Sequence, residues 1–174
     1  MTAAPRLALR NAQHDDVAAI STFGGSHIPA HYAPLIGVTA ANNQVRDWWN
    51  NAHLSAAVSD GLIVVAEVDE QLVGVGQRGR FGDDHVIYKL YVHPQYRNSG
   101  LGPQLIAALV ADLPAGTTRL YLEHFAANDR AGSFYEREGF TVDRIEPSPS
   151  GDPALAVVWR ARELRPQERA PHRA

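Results

Sequence analysis

The 174-residue chain is long enough for one domain with a real core, and 45% apolar with 20% charged residues is a globular composition. A net charge of −3 with neutral histidines gives no general attraction to nucleic acid or membranes, and the absence of cysteine excludes disulfides, thiolate catalysis and cysteine-ligated metals. No apolar run reaches the roughly 18 residues of a membrane span, and MTAAPRLALR lacks the apolar centre of a signal peptide, so a cytoplasmic enzyme or binding protein is expected.

In chain order, residues 6–10 alternate as a first strand. Asp15 and Asp16 can cap a helix running through Thr22, with Val17, Ile20 and Phe23 on its buried face. Gly24 and Gly25 are expected to stop it. Residues 26–39, with Pro29 and Pro34, then read as a loop carrying His27, His31 and Tyr32, either a specificity element or an apolar clamp over the sheet. Residues 43–59 follow as a single helix with a broad apolar surface. Its adjacent Trp48 and Trp49 cannot point the same way, so one of them enters the core.

Residues 62–68 and 72–78 read as an antiparallel hairpin around Asp69-Glu70-Gln71. Gly74, Gly76 and Gly79 there allow close backbone approach. Residues 81–85 form a polar link. Residues 86–113, VIYKLYVHPQYRNSGLGPQLIAALVADL, then read as strand, tight turn and helix. A helix start presents unpaired N–H groups and partial positive charge, and a glycine turn before it can close on an anion such as phosphate, with Arg97 at the entrance. The turn is neither a G-x-x-x-x-G-K-[ST] loop nor a complete G-x-G-x-x-G. A strand over 118–125, a short helix over 128–137, and closing strands over 140–145 and 155–161 complete the domain. Residues 1–164 are expected to form that one domain, and 165–174 a frayed, flexible tail.

Arg97-Asn98-Ser99-Gly100-Leu101-Gly102 resembles the acyl-CoA signature Q/R-x-x-G-x-G/A of GNAT-type N-acetyltransferases. Leu90, Tyr91 and Val92 precede it where that family places its central strand. Residues 120–140, LYLEHFAANDRAGSFYEREGF, resemble the family's other block, with Asn128 in the loop, Tyr135 on the helix and an ending like (L/F)-Y-x-x-x-G-F. The resemblance implies a mixed α/β fold with a central, mostly antiparallel, splayed sheet flanked by helices. It implies acetyl-CoA as co-substrate, its pyrophosphate on the amides of Asn98, Ser99, Gly100, Leu101 and Gly102, and its pantetheine arm along Leu90, Tyr91 and Val92 and near Asn128. Arg130 could meet the ribose phosphate.

The implied reaction is direct attack, in a ternary complex, of an amine of a small molecule or peptide on the thioester. Tyr135 is the acid for the departing thiolate. Glu123 is the first choice as base, with His85 and His124 behind it, because Glu123 ends the strand beside the central one. Glu123 and His124 should face opposite sides of the sheet. Two departures from the pattern are tolerable: Asn98 replaces a common glycine and can adopt positive φ, and Pro103 lies in a helix turn that needs no N–H. His27 and His31 are four apart with Pro29 between them, so no metal site is expected. A homodimer is expected, with no nucleic-acid or membrane partner. The competing reading is a non-catalytic acyl-CoA-binding regulatory or interaction module.

Overall fold

The computed structural model describes residues 6–166; the first five residues, and residues 167–174 of the expected 165–174 tail, lie outside the described residues. One seven-stranded sheet runs through them. Its strands are β1 (Leu7–Asn11), β2 (Ile63–Val68), β3 (Gln71–Phe81), β4 (Asp84–Val92), β5 (Arg119–Phe125), β6 (Thr141–Glu146) and β7 (Val157–Glu163), in the order β1-β2-β3-β4-β5-β7-β6. Every neighbouring pair is antiparallel except β4 with β5. Helices α1 (Val17–Ile36), α2 (Val38–Trp48) and α3 (Asn51–Ser59) precede β2, α4 (Leu101–Ala111) joins β4 to β5, and α5 (Asp129–Arg137) follows β5. This is the mixed, mostly antiparallel architecture expected from the sequence.

Two cores lie on opposite sides of the sheet. Leu101, Leu105, Ile106 and Leu109 of α4 pack on Val64, Ala66, Ile87, Leu120 and Leu122. Ile20, Phe23 and Ile28 of α1, with Leu54 of α3, pack on Ile63, Val65, Val75 and Tyr91. The β2–β3 turn holds Asp69 and Glu70 at φ 49° and 65°, the two successive positive values of a tight hairpin. Gly74 and Gly76 leave room for α4: a Cβ at either would come within 3.0 and 2.9 Å of Leu105 and Leu109.

The helical layer departs from the sequence expectation in three places. First, α1 does not stop at Gly24 and Gly25, and residues 26–36 are its second half rather than a loop. Burial of Ile20, Phe23, Ile28 and Ile36 along one side outweighs the weak helix propensity of two glycines and two prolines. Gly24 is a packing residue, because the Trp49 ring occupies the place of its missing Cβ. Second, the expected helix over 43–59 is two helices. The first ends at Trp48 with Trp49 as its C-cap, and Asn50 caps the second, its side-chain oxygen accepting from the His53 N–H at 2.9 Å. Third, the expected link over 81–85 shrinks to a hairpin turn at Gly82 and Asp83, since β3 reaches Phe81 and β4 begins at Asp84. As expected, the tryptophans diverge: Trp49 is buried and Trp48 is about half exposed.

Gly24→Ala should destabilise the fold by about 1–3 kcal/mol, the usual cost of overpacking, because the new methyl must displace an indole. Gly25→Ala, in the same helix with open space at its Cβ position, should instead stabilise by about 0.4–1 kcal/mol. Urea denaturation of the two variants checks the contrast.

Candidate active site

Strands β4 and β5 pair over only three positions, His85, Val86 and Ile87 against Leu120, Tyr121 and Leu122. Beyond them β4 continues along β3, and β5 continues along β7 to Phe125. The inner edges of the two half-sheets therefore separate. Backbone groups of residues 88–92 that point toward β5 have no ladder partner there. A cavity of about 420 Å³ fills the gap.

One end of the cavity is built by the turn into α4. Asn98 sits at φ 63° and Gly100 at φ 83°, so the expected left-handed asparagine is present. Gly100 is the N-cap of α4; the amides of Leu101 and Gly102 follow in the first turn, and Pro103 provides none. Gly102 also lets the Phe134 ring approach, which would lie 2.9 Å from an added Cβ. Arg97 is tied back to the strand: Nε donates to the Val92 carbonyl at 3.3 Å and Nη2 to the Tyr91 hydroxyl at 2.7 Å. Arg130, Arg137 and Glu138 also line the cavity. Leu90, Tyr91, Val92, Arg97, Asn98, Gly100 and Gly102 all border the cavity. Ser99 is turned back, its hydroxyl bonding the Tyr96 carbonyl, and the Leu101 side chain belongs to the core.

The middle is formed by α1, β5 and α5. Asn128 caps α5, its Oδ1 accepting from the Ala131 N–H at 3.2 Å, and its amide lies 3.5 Å from His31 Nε2. Burial, then the charges of Arg97 and Arg130, lower the His31 pKa and favour its neutral form. Tyr135 is buried between His124, Phe134 and Phe140 and borders the cavity. Burial, and secondarily Tyr32, push its phenol well above the ordinary tyrosine range.

The far end is lined by Gln44, Trp48, Trp49, Tyr88, Lys89 and Glu123. Burial raises the Glu123 pKa; Glu146 reinforces this and Arg144 opposes it. Glu123 and His124 both border the cavity although strand alternation sends them to opposite faces, because the cavity passes through the sheet at the gap. His124 is not free to take a proton. Arg160 Nε donates to its Nε2 at 3.1 Å, which assigns the other nitrogen, 2.9 Å from the Phe125 carbonyl, as the N–H donor. His85 does not border the cavity.

Sequence reasoning missed Lys89. It is only 7% exposed, in the middle of β4, and its Nζ donates to Gln77 Oε1 at 2.6 Å. Burial lowers its pKa to about 8. The available signal was compositional: it is the one lysine in the chain.

Residues 59–142 match the family model for the acetyltransferase (GNAT) domain. The chain is 29% identical over 120 residues to the 5-NmdU N-acetyltransferase of Pseudomonas phage PaMx11, covering 66% of this chain and 84% of that relative. It is 37% identical over 86 residues to an acetyltransferase of Pectobacterium atrosepticum, covering 48% of this chain and 61% of that relative. Among solved structures, the PaiA N-acetyltransferase of Thermoplasma acidophilum in complex with coenzyme A superposes with TM-score 0.76 at 16% identity, over 91% of this chain and 99% of that one. A GCN5-related N-acetyltransferase of Rhodopseudomonas palustris gives 0.74 at 23% identity, over 94% and 98%. The family-model match covers just under half of the chain and marks that stretch as a GNAT acetyltransferase domain, and the solved structures share its fold. The protein is an acetyltransferase, with acetyl-CoA as co-substrate.

Asn128→Ala should lower stability by about 0.5–2 kcal/mol through loss of the α5 cap, whereas Asn128→Asp should retain most of it. Thermal melts of both variants without ligand check this.

Proposed function

We propose that the protein transfers acetyl from acetyl-CoA to an amine of a small molecule or peptide by direct attack in a ternary complex. The observation that carries this reading is the continuity of the cavity. It joins the turn at residues 97–102 to a polar and aromatic end at Glu123, Gln44 and Trp48. A non-catalytic binding module would have its acyl end closed off by apolar rings; here Gln44, Lys89 and Glu123 stand among the rings of the far end.

In this reading the pyrophosphate rests on the 98–102 turn and the start of α4, where free amides and helix polarity favour an anion. Arg97 and Arg130 add charge. The pantetheine arm runs along Leu90, Tyr91 and Val92 on the side that has no ladder partner on β5, as an added strand would, and passes Asn128. Backbone N–H groups of β4 near Val92 polarise the thioester carbonyl. Glu123 draws the acceptor's ammonium into the far end. After deprotonation the amine forms a C–N bond to the carbonyl carbon, and the C–S bond then breaks.

Tyr135 stands by the sulfur. Burial keeps its phenol protonated throughout the physiological range, so it arrives as a donor. The same burial makes it a weak acid, and it acts chiefly by hydrogen-bonding the developing thiolate. The reaction takes place in the cytoplasm, and among the described residues no helix is long and apolar enough to cross a membrane. The active species is a homodimer formed through β6, the sheet's edge, where Val142 and Ile145 are exposed. Light scattering should give twice the chain mass; a monomer at working concentration would reject the dimer.

Tyr135→Phe keeps the ring and loses only the hydroxyl. It should lower kcat by about 10²-fold, the lower end for a placed acid, with acetyl-CoA affinity nearly unchanged. Arg97→Ala should do the reverse, weakening acetyl-CoA binding with a smaller effect on kcat. Steady-state kinetics on an amine panel, together with acetyl-CoA calorimetry, test both. No transfer to any amine by folded protein that binds acetyl-CoA would overturn the reading.

A further inference from the structure

Fifteen of the sixteen basic residues of the chain are arginine; the remaining one is Lys89. It stands where β4 carries a bulge. Gln77 of β3 pairs with Lys89 and Arg78 pairs with Ile87, so Tyr88 is an extra residue on β4. The bulge sends Ile87 to the α4 side of the sheet and leaves Lys89 beside Gln77 and the Trp49 ring, whose centroid is 5.5 Å from Nζ. Its side chain lines the same cavity as Glu123 and the turn into α4.

Its surroundings hold no counter-ion. Gln77, the facing residue on β3, is uncharged. From the helical layer it meets Trp49 and, on α3, His53, whose own pKa is lowered by burial and by the lysine's charge. Tyr88 precedes it on β4 and Tyr91 lies two residues on, both with raised phenol pKa values. Across the gap, Glu123 interacts electrostatically with Glu146, Arg144 and Tyr88. Among the described residues no carboxylate forms an ion pair with Lys89. An ammonium buried without a partner is disfavoured, so the neutral amine is readily reached. Lysine can lose its proton in such a place and arginine cannot, which fits a base better than an anion clamp.

We propose that Lys89 is the general base of the transfer, its neutral amine taking a proton from the acceptor's ammonium. This rests on the acetyltransferase reading above. One N–H of Lys89 stays on Gln77 Oε1 and holds the lone pair in place. The lysine becomes ammonium and the acceptor a free amine. That amine bonds to the thioester carbon, and the sulfur leaves with the C–S electron pair. Tyr135 hydrogen-bonds the departing thiolate, which takes up the second proton of the acylated nitrogen. Lys89 then returns its proton to water. One proton is released per amide formed. Glu123 positions the ammonium and does not receive its proton.

A lysine-selective isotope label gives one side-chain signal, because there is one lysine. Its NMR titration should have a midpoint near 8; a midpoint at the ordinary lysine value of about 10.4 would overturn the proposal. With phenethylamine and related alkylamines as acceptors, the wild-type kcat/KM should rise with pH through that midpoint. Lys89→Met and Lys89→Arg should lose this limb and about 10²–10⁴-fold in kcat, with calorimetric acetyl-CoA affinity retained as the sign of an intact fold. Aniline is already neutral and needs no base, so Lys89→Met should acetylate it at close to the wild-type rate. Equal losses on both kinds of acceptor would make Lys89 structural and overturn the proposal. So would an unchanged pH profile in the variants, or an acetyl mass appearing on Lys89 itself. Failure of the underlying reading is distinct, since wild-type protein would then bind acetyl-CoA and acetylate no amine.

Discussion

Everything at the site depends on two strands that start as neighbours and then part. After Ile87 and Leu122 each half of the sheet remains paired on its outer side, β4 to β3 and β5 to β7. The divergence leaves two facing edges of backbone polar groups, which a globular interior tolerates only when water or a ligand satisfies them. The gap therefore has a chemical character before any side chain is considered: a slot that favours an extended, amide-bearing guest. α4 begins at one mouth of this slot, and the α1–α3 layer closes over the other side.

The side chains around the slot are held by one another. Arg97 is fixed by the Val92 carbonyl and the Tyr91 hydroxyl, so the charge at the entrance is set by the end of the strand the guest would follow. Asn128 serves α5 with its oxygen and faces His31 of α1 with its nitrogen, joining elements that lie nearly a hundred residues apart in sequence. Arg160 locks the tautomer of His124. Arg97 stands at one mouth, and a single titratable amine at the other.

Local chemistry made the turn into α4 legible, because a left-handed asparagine, an N-cap glycine and a first-turn proline each have a physical signature. The β2–β3 hairpin was equally plain. The helical layer was not, because Gly24, Pro29 and Pro34 are local breakers whose effect is outweighed by burial that only tertiary packing reveals. Gly24 is explained by Trp49, twenty-five residues away. Glu123 and His124 looked mutually exclusive under strand alternation, and the open sheet removes that exclusion. Lys89 escaped notice because a lone charge between tyrosine and leucine reads as an outward-facing position; the bulge at Tyr88 decides its direction and leaves no mark in the hydrophobic pattern.

The rarity of lysine has a consequence for the protein's own chemical durability. A thioester acylates any unprotonated amine it meets, and a molecule that spends its working life in contact with one is exposed to its own reagent. Guanidinium groups stay protonated at physiological pH and do not react in this way. With arginine at every other basic position and no thiol in the sequence, the folded surface presents no lysine amine and no cysteine to collateral acylation. The one side-chain amine is almost wholly buried and lines the cavity, so its exposure to the reagent is confined to whatever enters there.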